Sequence, residues 1–263
     1  MTGQPFAELL VRDQGAVRLI RLQRPSAKNA LTLEIVEALH GALADAAAAA
    51  SVRALVLSGT PGAFCSGADL RWLAAQIESV ELIGPTMQRF QALTLAIVEH
   101  PKPVVAAVTG PAVGFGADLA LACDFRVLAE SAYLQEKFVA VGLMPDGGGS
   151  YFLTRLLGVG RALEMLMLGS RIDAAQAVSL GLASSMTADS DTEPAALALA
   201  ATLADGPPLA LSRIKQAVHG DLSELKAALA REREGQLALL QSADGKEGVR
   251  AFLERRSPTF RGQ

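Results

Sequence analysis

Two strand-to-helix turns, each lined with glycine and each followed by an apolar helix, constrain this chain more than any other feature. The first runs from Arg53-Ala-Leu-Val-Leu-Ser58 into Phe64-Cys-Ser-Gly-Ala-Asp-Leu70. The second runs from Pro103-Val-Val-Ala-Ala-Val108 into Gly114-Phe-Gly-Ala-Asp-Leu119. Two such turns can aim two backbone N–H groups at one oxygen, the geometry of an oxyanion hole, whose donors stabilise charge that develops only during reaction. A helix start adds the positive end of its dipole and N–H groups that lack a partner within the helix. The plainer reading of either turn alone is that glycine lets the chain turn tightly.

Strands and helices alternate around these turns. Residues 7–12 and 16–22 read as a hairpin about Asp13-Gln-Gly15. Residues 33–50 carry leucine and alanine at helical spacing, with Thr32 as N-cap and Glu34 in the first turn. Strand 53–58, helix 68–75, strand 103–108, helix 117–122 and strand 124–128 follow, which predicts an α/β architecture. Residues 76–88, polar and irregular around Gly84-Pro85, read either as a cover over a pocket or as an ordinary surface loop. From Pro145 the pattern is helical at 147–157, 161–168, 174–180, 194–204, 208–219, 222–240 and 245–256, with a strand at 182–186. The last three helices follow Asp205-Gly-Pro-Pro208 and carry alanine and leucine on opposed faces. Such faces need cover, which predicts oligomerisation through this region. With 263 residues, 51% of them hydrophobic, the chain can bury a sizeable core as one large domain with an appendage.

Several function classes drop out. The net charge is −3, and charge is concentrated only in Arg231-Glu-Arg-Glu234 and Glu254-Arg-Arg256, so the electrostatic footprint of a nucleic-acid binder is missing. Apolar stretches such as Val104–Val108 are far too short to span a bilayer. Met1-Thr-Gly-Gln-Pro5 has no basic-then-apolar pattern, so the expected compartment is the cytoplasm. Cys65 and Cys123 show no metal-ligand spacing with His40, His100 or His219 and read as free core thiols, so no metal is expected. Gly114-x-Gly116-x-x-Leu119 lacks the third glycine of a dinucleotide fingerprint, and no P-loop lysine follows a glycine cluster, so NAD and ATP are unsupported. Gly147-Gly-Gly149 reads either as a phosphate cradle or as a close-packed turn, and Trp72 and Met87 either as pocket lining or as core.

Five ordered motifs then carry a resemblance. They are Arg24-Pro25 with Asn29-Ala-Leu31, Ala63-Phe-Cys-Ser-Gly-Ala-Asp-Leu70, Val108-Thr-Gly-Pro-Ala-Val-Gly-Phe-Gly-Ala-Asp-Leu-Ala-Leu-Ala-Cys-Asp124, Gly142-Leu-Met-Pro-Asp-Gly-Gly148, and Glu247-Gly-Val-Arg-Ala-Phe252. Together they resemble the enoyl-CoA hydratase/isomerase (crotonase) family, over nearly the whole chain. The resemblance implies an α/β fold, a crotonase-like spiral of ββα units, with a C-terminal helical trimerisation region. Residues 1–205 would form the spiral core with the acyl-CoA and oxyanion-hole site, and 206–263 the oligomerisation region of a homotrimer or a hexamer made as a dimer of trimers. The implied substrate is an acyl-CoA thioester, with coenzyme A carried by the substrate and no separate cofactor. The implied oxyanion donors are the N–H groups of Ala68 and Phe115, and the Phe115 side chain would then narrow the acyl pocket. Lys28, Ala30, Ala68, Asp69, Leu70 and Arg71 would line the CoA site. Phe252 and Arg255 match positions that reach the CoA of a neighbouring subunit, although Arg255 reads equally as a solvated charge.

The carboxylates select the reaction. The family's hydratases hold water with two glutamates, one at the position of Asp118 and one at that of Phe138, and a phenylalanine can neither accept nor give a proton. Asp146 instead matches the position at which the isomerase-type members place their acid/base, and one carboxylate suffices to move a proton within an enoyl thioester. The favoured activity is therefore enoyl-CoA double-bond isomerisation. The alternatives are a 2-enoyl-CoA hydratase using Asp118 and Asp146, and a non-catalytic acyl-CoA-binding protein. Asp146 also reads as an N-cap of helix 147–157, and Asp118 as a second acid or base, a water holder or a helix-start carboxylate. Burial would raise the Asp146 pKa and the helix dipole would lower it. Nucleophilic attack by Asp146 would want a nearby histidine, and His100 at a strand entrance is a poor fit.

Overall fold

A computed structural model describes residues 7–76 and 80–263; Met1-Thr-Gly-Gln-Pro5 and residues 77–79 of the expected 76–88 loop lie outside the described residues. Strands β1 (Leu9–Gln14) and β2 (Val17–Leu22) form the expected hairpin. Helix α1 (Leu33–Ala48), strand β3 (Ala54–Ser58), helices α2 (Leu70–Gln76) and α3 (Val80–Val98), strands β4 (Val104–Val108) and β5 (Ala112–Val113), and helix α4 (Phe115–Ala122) follow. Next come β6 (Phe125–Ala129), β7 (Tyr133–Gln135), α5 (Gly149–Leu157), α6 (Val159–Leu168), β8 (Arg171–Asp173), α7 (Ala174–Ser179) and β9 (Ser185–Thr187). Helices α8 (Thr192–Asp205), α9 (Pro208–His219), α10 (Ser223–Gln241) and α11 (Ala243–Leu253) complete the chain.

The main sheet has the order β1-β2-β3-β4-β6-β9, with β1 antiparallel to β2 and every other pairing parallel. Strands β3 and β4 are buried at every position, as expected of parallel strands covered on both faces. Leu55, Leu57, Val104 and Ala106 point into the larger core with α1 and α3, while Ala54, Val56, Val105 and Ala107 face α8. There Ala196, Ala200 and Ala204, four residues apart on one helical stripe, are buried against them. A small second sheet, β5-β7-β8, begins within the second glycine-lined turn and has too few residues to show a sequence period.

One expectation fails. From Val80 the supposed 76–88 loop is the start of the 19-residue helix α3, with Pro85 inside it. Proline removes one backbone donor near the helix start, and the loss is tolerated because Ile83, Met87, Phe90, Leu93 and Ile97 bury one face. The C-terminal helices divide in their roles. Helix α10 turns Leu225 and Leu229 into the core of its own chain, whereas α9 leaves Leu209 82% and Val218 64% exposed, and α6 leaves Met167 66% and Leu168 73% exposed. Among the described residues, no single helix is long and apolar enough to cross a membrane.

Candidate active site

The first glycine-lined turn is sewn together by Asn29. Its buried amide donates from Nδ2 to the Ala63 and Phe64 carbonyls at 2.8 and 3.2 Å, and its Oδ1 accepts from the Arg24 N–H and the Thr60 hydroxyl, each at 3.0 Å. Asp69 then accepts from the N–H groups of Arg71 and Trp72 at the start of α2 and from the Arg24 guanidinium at 2.6 Å. Burial alone would raise its pKa, but the Arg24 hydrogen bond and these N–H groups hold it below the ordinary aspartate value.

The second turn locks against the first through glycine. Cys65 bridges Ala112 in parallel, and the Val113 N–H donates to the Cys65 carbonyl at 2.9 Å. A methyl carbon on Gly116 would stand 2.2 Å from the Cys65 carbonyl oxygen, so only glycine lets the two backbones meet. Gly67, at φ +90°, is equally tight: a Cβ there would lie 2.8 Å from the Val113 oxygen and 3.3 Å from the Phe115 nitrogen. The two turns therefore bring Ala68 and Phe115 onto one cavity wall, and no acceptor for the backbone N–H of either is recorded among the described residues. The Phe115 side chain does not narrow the pocket as expected. It is 1% exposed and packs edge-on against Phe90, with ring centroids 5.1 Å apart, because the helix start turns Cβ toward the core.

That cavity, of about 1170 Å³, is lined by Lys28, Ala30, Ala68, Asp69, Leu70, Arg71, Phe115, Phe138, Asp146 and Phe252 among the residues singled out above. Trp72 also lines it, while Met87 packs in a separate apolar cluster. Asp118 and Arg255 do not line it: Asp118 is fully buried behind the wall, and Arg256 rather than the exposed Arg255 reaches the cavity. The cations on the wall outnumber the acids, and Lys28, Arg71 and Lys137 have no recorded ion pair among the described residues. The wall thus suits a ligand with an anionic end and an apolar body.

Asp146 is held by helices distant in sequence. Its carbonyl accepts from Gln91 Nε2 of α3 at 3.0 Å, the next carbonyl, of Gly147, accepts from Thr94 Oγ1 at 3.0 Å, and its Oδ2 accepts from Gln236 Nε2 of α10 at 3.3 Å. Burial pushes its carboxyl up to about 7, against the opposing hydrogen bond from Gln236. Asp146 is not the N-cap of α5. That task falls to Glu232 of α10, whose Oε2 accepts from the Gly148 N–H at 2.8 Å and whose Oε1 accepts from the Ser150 N–H at 2.9 Å. The same bonds place a carboxylate on the Gly148 and Ser150 N–H groups, where a phosphate cradle at Gly147–Gly149 would put its anion. His100 lies away from the cavity, with its ring nitrogens against the carbonyls of Lys102 and Leu43, so it is not placed to assist Asp146.

Gln91, Thr94, Glu136, Glu232 and Gln236 escape a reading of the sequence. One signal exists for the last two: along α10 they share a helical stripe with the buried Leu225, Leu229 and Leu240, where a solvated residue would be out of place. Glu136 is buried beside Asp118, and both carboxyls converge on Gly149, where a methyl carbon would lie 2.6 Å from Asp118 Oδ1 and 3.2 Å from Glu136 Oε1. Burial, reinforced by the Glu136 charge, raises the pKa of Asp118 well above the ordinary value, and burial with the Glu232 charge raises that of Glu136.

Residues 12–263 match the family model described as enoyl-CoA hydratase/isomerase. The chain belongs to the enoyl-CoA hydratase/isomerase family. A probable enoyl-CoA hydratase of Rhodobacter capsulatus is 43% identical over 250 residues, which cover 93% of this chain and 94% of that protein. The 1,2-epoxyphenylacetyl-CoA isomerase of Escherichia coli is 35% identical over 263 residues, covering 97% and 98%. The crystal structure of an enoyl-CoA hydratase from Mycobacterium avium subsp. paratuberculosis superposes with a TM-score of 0.88 at 34% identity, covering 98% of this chain and all of the other. The architecture described above is accordingly the crotonase fold of an acyl-CoA enzyme of the enoyl-CoA hydratase/isomerase family, and both hydratases and an isomerase stand among its relatives.

Proposed function

We propose that this protein is an enoyl-CoA double-bond isomerase with Asp146 as its acid/base. The observation that carries the reading is the state of the carboxyls at the cavity. Of the two that line it, Asp69 is committed to Arg24 and to the start of α2, which leaves Asp146 for substrate. With the thioester oxygen at the Ala68 and Phe115 N–H groups, Asp146 removes a proton from C2 of a 3-enoyl-CoA. The electron pair moves through the allyl system onto the carbonyl oxygen, where the two donors hold the charge. Return of the proton to C4 gives the conjugated 2-enoyl-CoA with no atom gained or lost. A base whose pKa lies near 7 suits both halves of that transfer.

Hydration of a 2-enoyl-CoA would call for a second carboxyl to hold water. Phe138 supplies none, and Asp118 is buried behind the cavity wall. Lys28, Arg71 and Lys137 are the groups we assign to the phosphates of CoA, with Phe252 on the wall of the same chain's cavity and the exposed Arg255 toward a neighbouring subunit's ligand. Coenzyme A arrives with the substrate, and the reaction needs no further cofactor. The working assembly in this reading is a trimer or a pair of trimers.

Separate incubation with a 3-enoyl-CoA and a 2-enoyl-CoA, followed by conjugated-thioester absorbance, tests the reading. Absorbance should appear with the first and persist with the second, and Asp146→Asn should slow its appearance by about 10²–10⁴-fold while ligand binding persists. Loss of absorbance from the 2-enoyl-CoA would establish a hydratase instead. Binding without change in either would establish a carrier of acyl-CoA.

A further inference from the structure

Gln236 touches both ends of the loop that presents Asp146. Its Oε1 accepts from the Met144 N–H at 3.0 Å, and its Nε2 lies 3.3 Å from Asp146 Oδ2. The first contact fixes the second: a backbone N–H can only donate, so the acceptor end of the amide must face Met144 and the NH₂ end must face Asp146. An NH₂ group has no lone pair to offer a carboxylic proton. We propose that Gln236 is the positioning residue of the Asp146 acid/base, filling Oδ2 with an obligate donor and confining the exchangeable proton to Oδ1. This rests on the isomerase reading above for its catalytic meaning, but the placement of the proton does not.

The consequence is geometric. If only Oδ1 carries the proton, removal and return occur from one atom on one face of the enoyl group, and the transfer is suprafacial. The surroundings sharpen the effect of Gln236. The titratable groups around Asp146 are carboxyls, namely Glu232 on α10, Asp118 on α4 and Glu136 after β7. The Arg233 guanidinium of α10 is turned to Gln91 Oε1 at 3.0 Å, and Gln91 and Thr94 on α3 are neutral. Gln236 is thus the side-chain donor recorded on the Asp146 carboxylate.

The test follows titration of the Asp146 carboxyl by difference infrared spectroscopy, with its band assigned by its loss in Asp146→Asn. Removing a hydrogen bond to the charged form favours the protonated one, so Gln236→Met should move the midpoint up from about 7, by about one pH unit for a bond to a charged group. Gln236→Glu keeps the acceptor for Met144 while presenting no obligate donor, and it should move the midpoint the same way. The acid limb of kcat/KM on a 3-enoyl-CoA should follow, with kcat lowered more than KM is raised. A midpoint unmoved in either folded variant overturns the proposal, because a purely structural glutamine would leave it in place. A midpoint that moves in a protein that never turns over a 3-enoyl-CoA supports the proton assignment and overturns the isomerase reading.

Discussion

Asp118 and Glu136 confront each other with four buried carboxylate oxygens, and no hydrogen-bond donor to any of them is recorded among the described residues. Two charges cannot persist there, so the folded protein keeps protons that the unfolded chain releases in the ordinary carboxylate range. Because both folded-state values are raised, the associated stability is fully present below the ordinary values of 3.8 and 4.5 and is lost as pH rises through the raised ones. Urea denaturation across this span should show stability falling with pH. Glu136→Gln, which supplies a donor to Asp118, should flatten that dependence and gain about 1–3 kcal/mol at alkaline pH. An equal slope in variant and parent would contradict the account.

Gly67→Ala places a methyl group 3.3 Å from the Phe115 nitrogen at a positive φ. Strain of about 1–3 kcal/mol is expected from the backbone. The greater effect should fall on turnover, because the methyl intrudes on the Phe115 N–H that the proposed mechanism gives to the substrate oxygen. A fall in kcat of about 10²–10³-fold is the value of one such donor, and steady-state kinetics on the folded variant would measure it.

Lys215 fastens α9 beneath the sheet: its Nζ donates to Asp124 Oδ2 at 2.8 Å and to the Ile97 carbonyl at 2.9 Å. Burial works against the Asp124 charge, and His219, Lys215 and the Val104 N–H together hold its pKa below the ordinary value. Lys215→Met should strand that carboxylate and cost about 3–5 kcal/mol in a denaturation experiment. The cavity assigned above to acyl-CoA, which Lys215 does not line, should keep its affinity for that ligand in the variant that remains folded.

Light scattering at micromolar concentration should report at least three chains per particle. The apolar surface that would be covered includes Val159, Met167 and Leu168 on α6 and Leu209, Ile214 and Val218 on α9. A particle of one chain would reject the assembly.

The sequence makes most of the scaffold legible because its strands are unbroken apolar runs and its long helices repeat every three to four residues. It misleads at α3, where residues 76–88 read as a cover or a surface loop around Gly84-Pro85 and nothing marks Gln91 and Thr94 further along the helix. Gln91 and Thr94 are in fact buried, and their hydrogen bonds hold the Asp146–Gly147 backbone. It misleads again at Arg231-Glu-Arg-Glu234, a run that looks solvated although Glu232 is 1% exposed and caps α5. Local composition records what a residue is, and long-range contact decides whether its polarity meets water or a backbone group 80 residues away. The glycines at 67 and 116 are visible as turns, but the requirement for glycine arises from the opposite turn, which only the folded chain supplies.

The attachment of Asp146 to α10 also sets an order of assembly. Both glycine-lined turns are complete by residue 122, whereas Gln236 and Glu232, which fix the base and the helix behind it, follow some ninety residues after the loop that they hold. On the isomerase reading proposed above, a chain still emerging from the ribosome would hold both turns before the Asp146 carboxyl was fixed. In that reading the proposed proton transfer is armed last, by the same closing helices that finish the core.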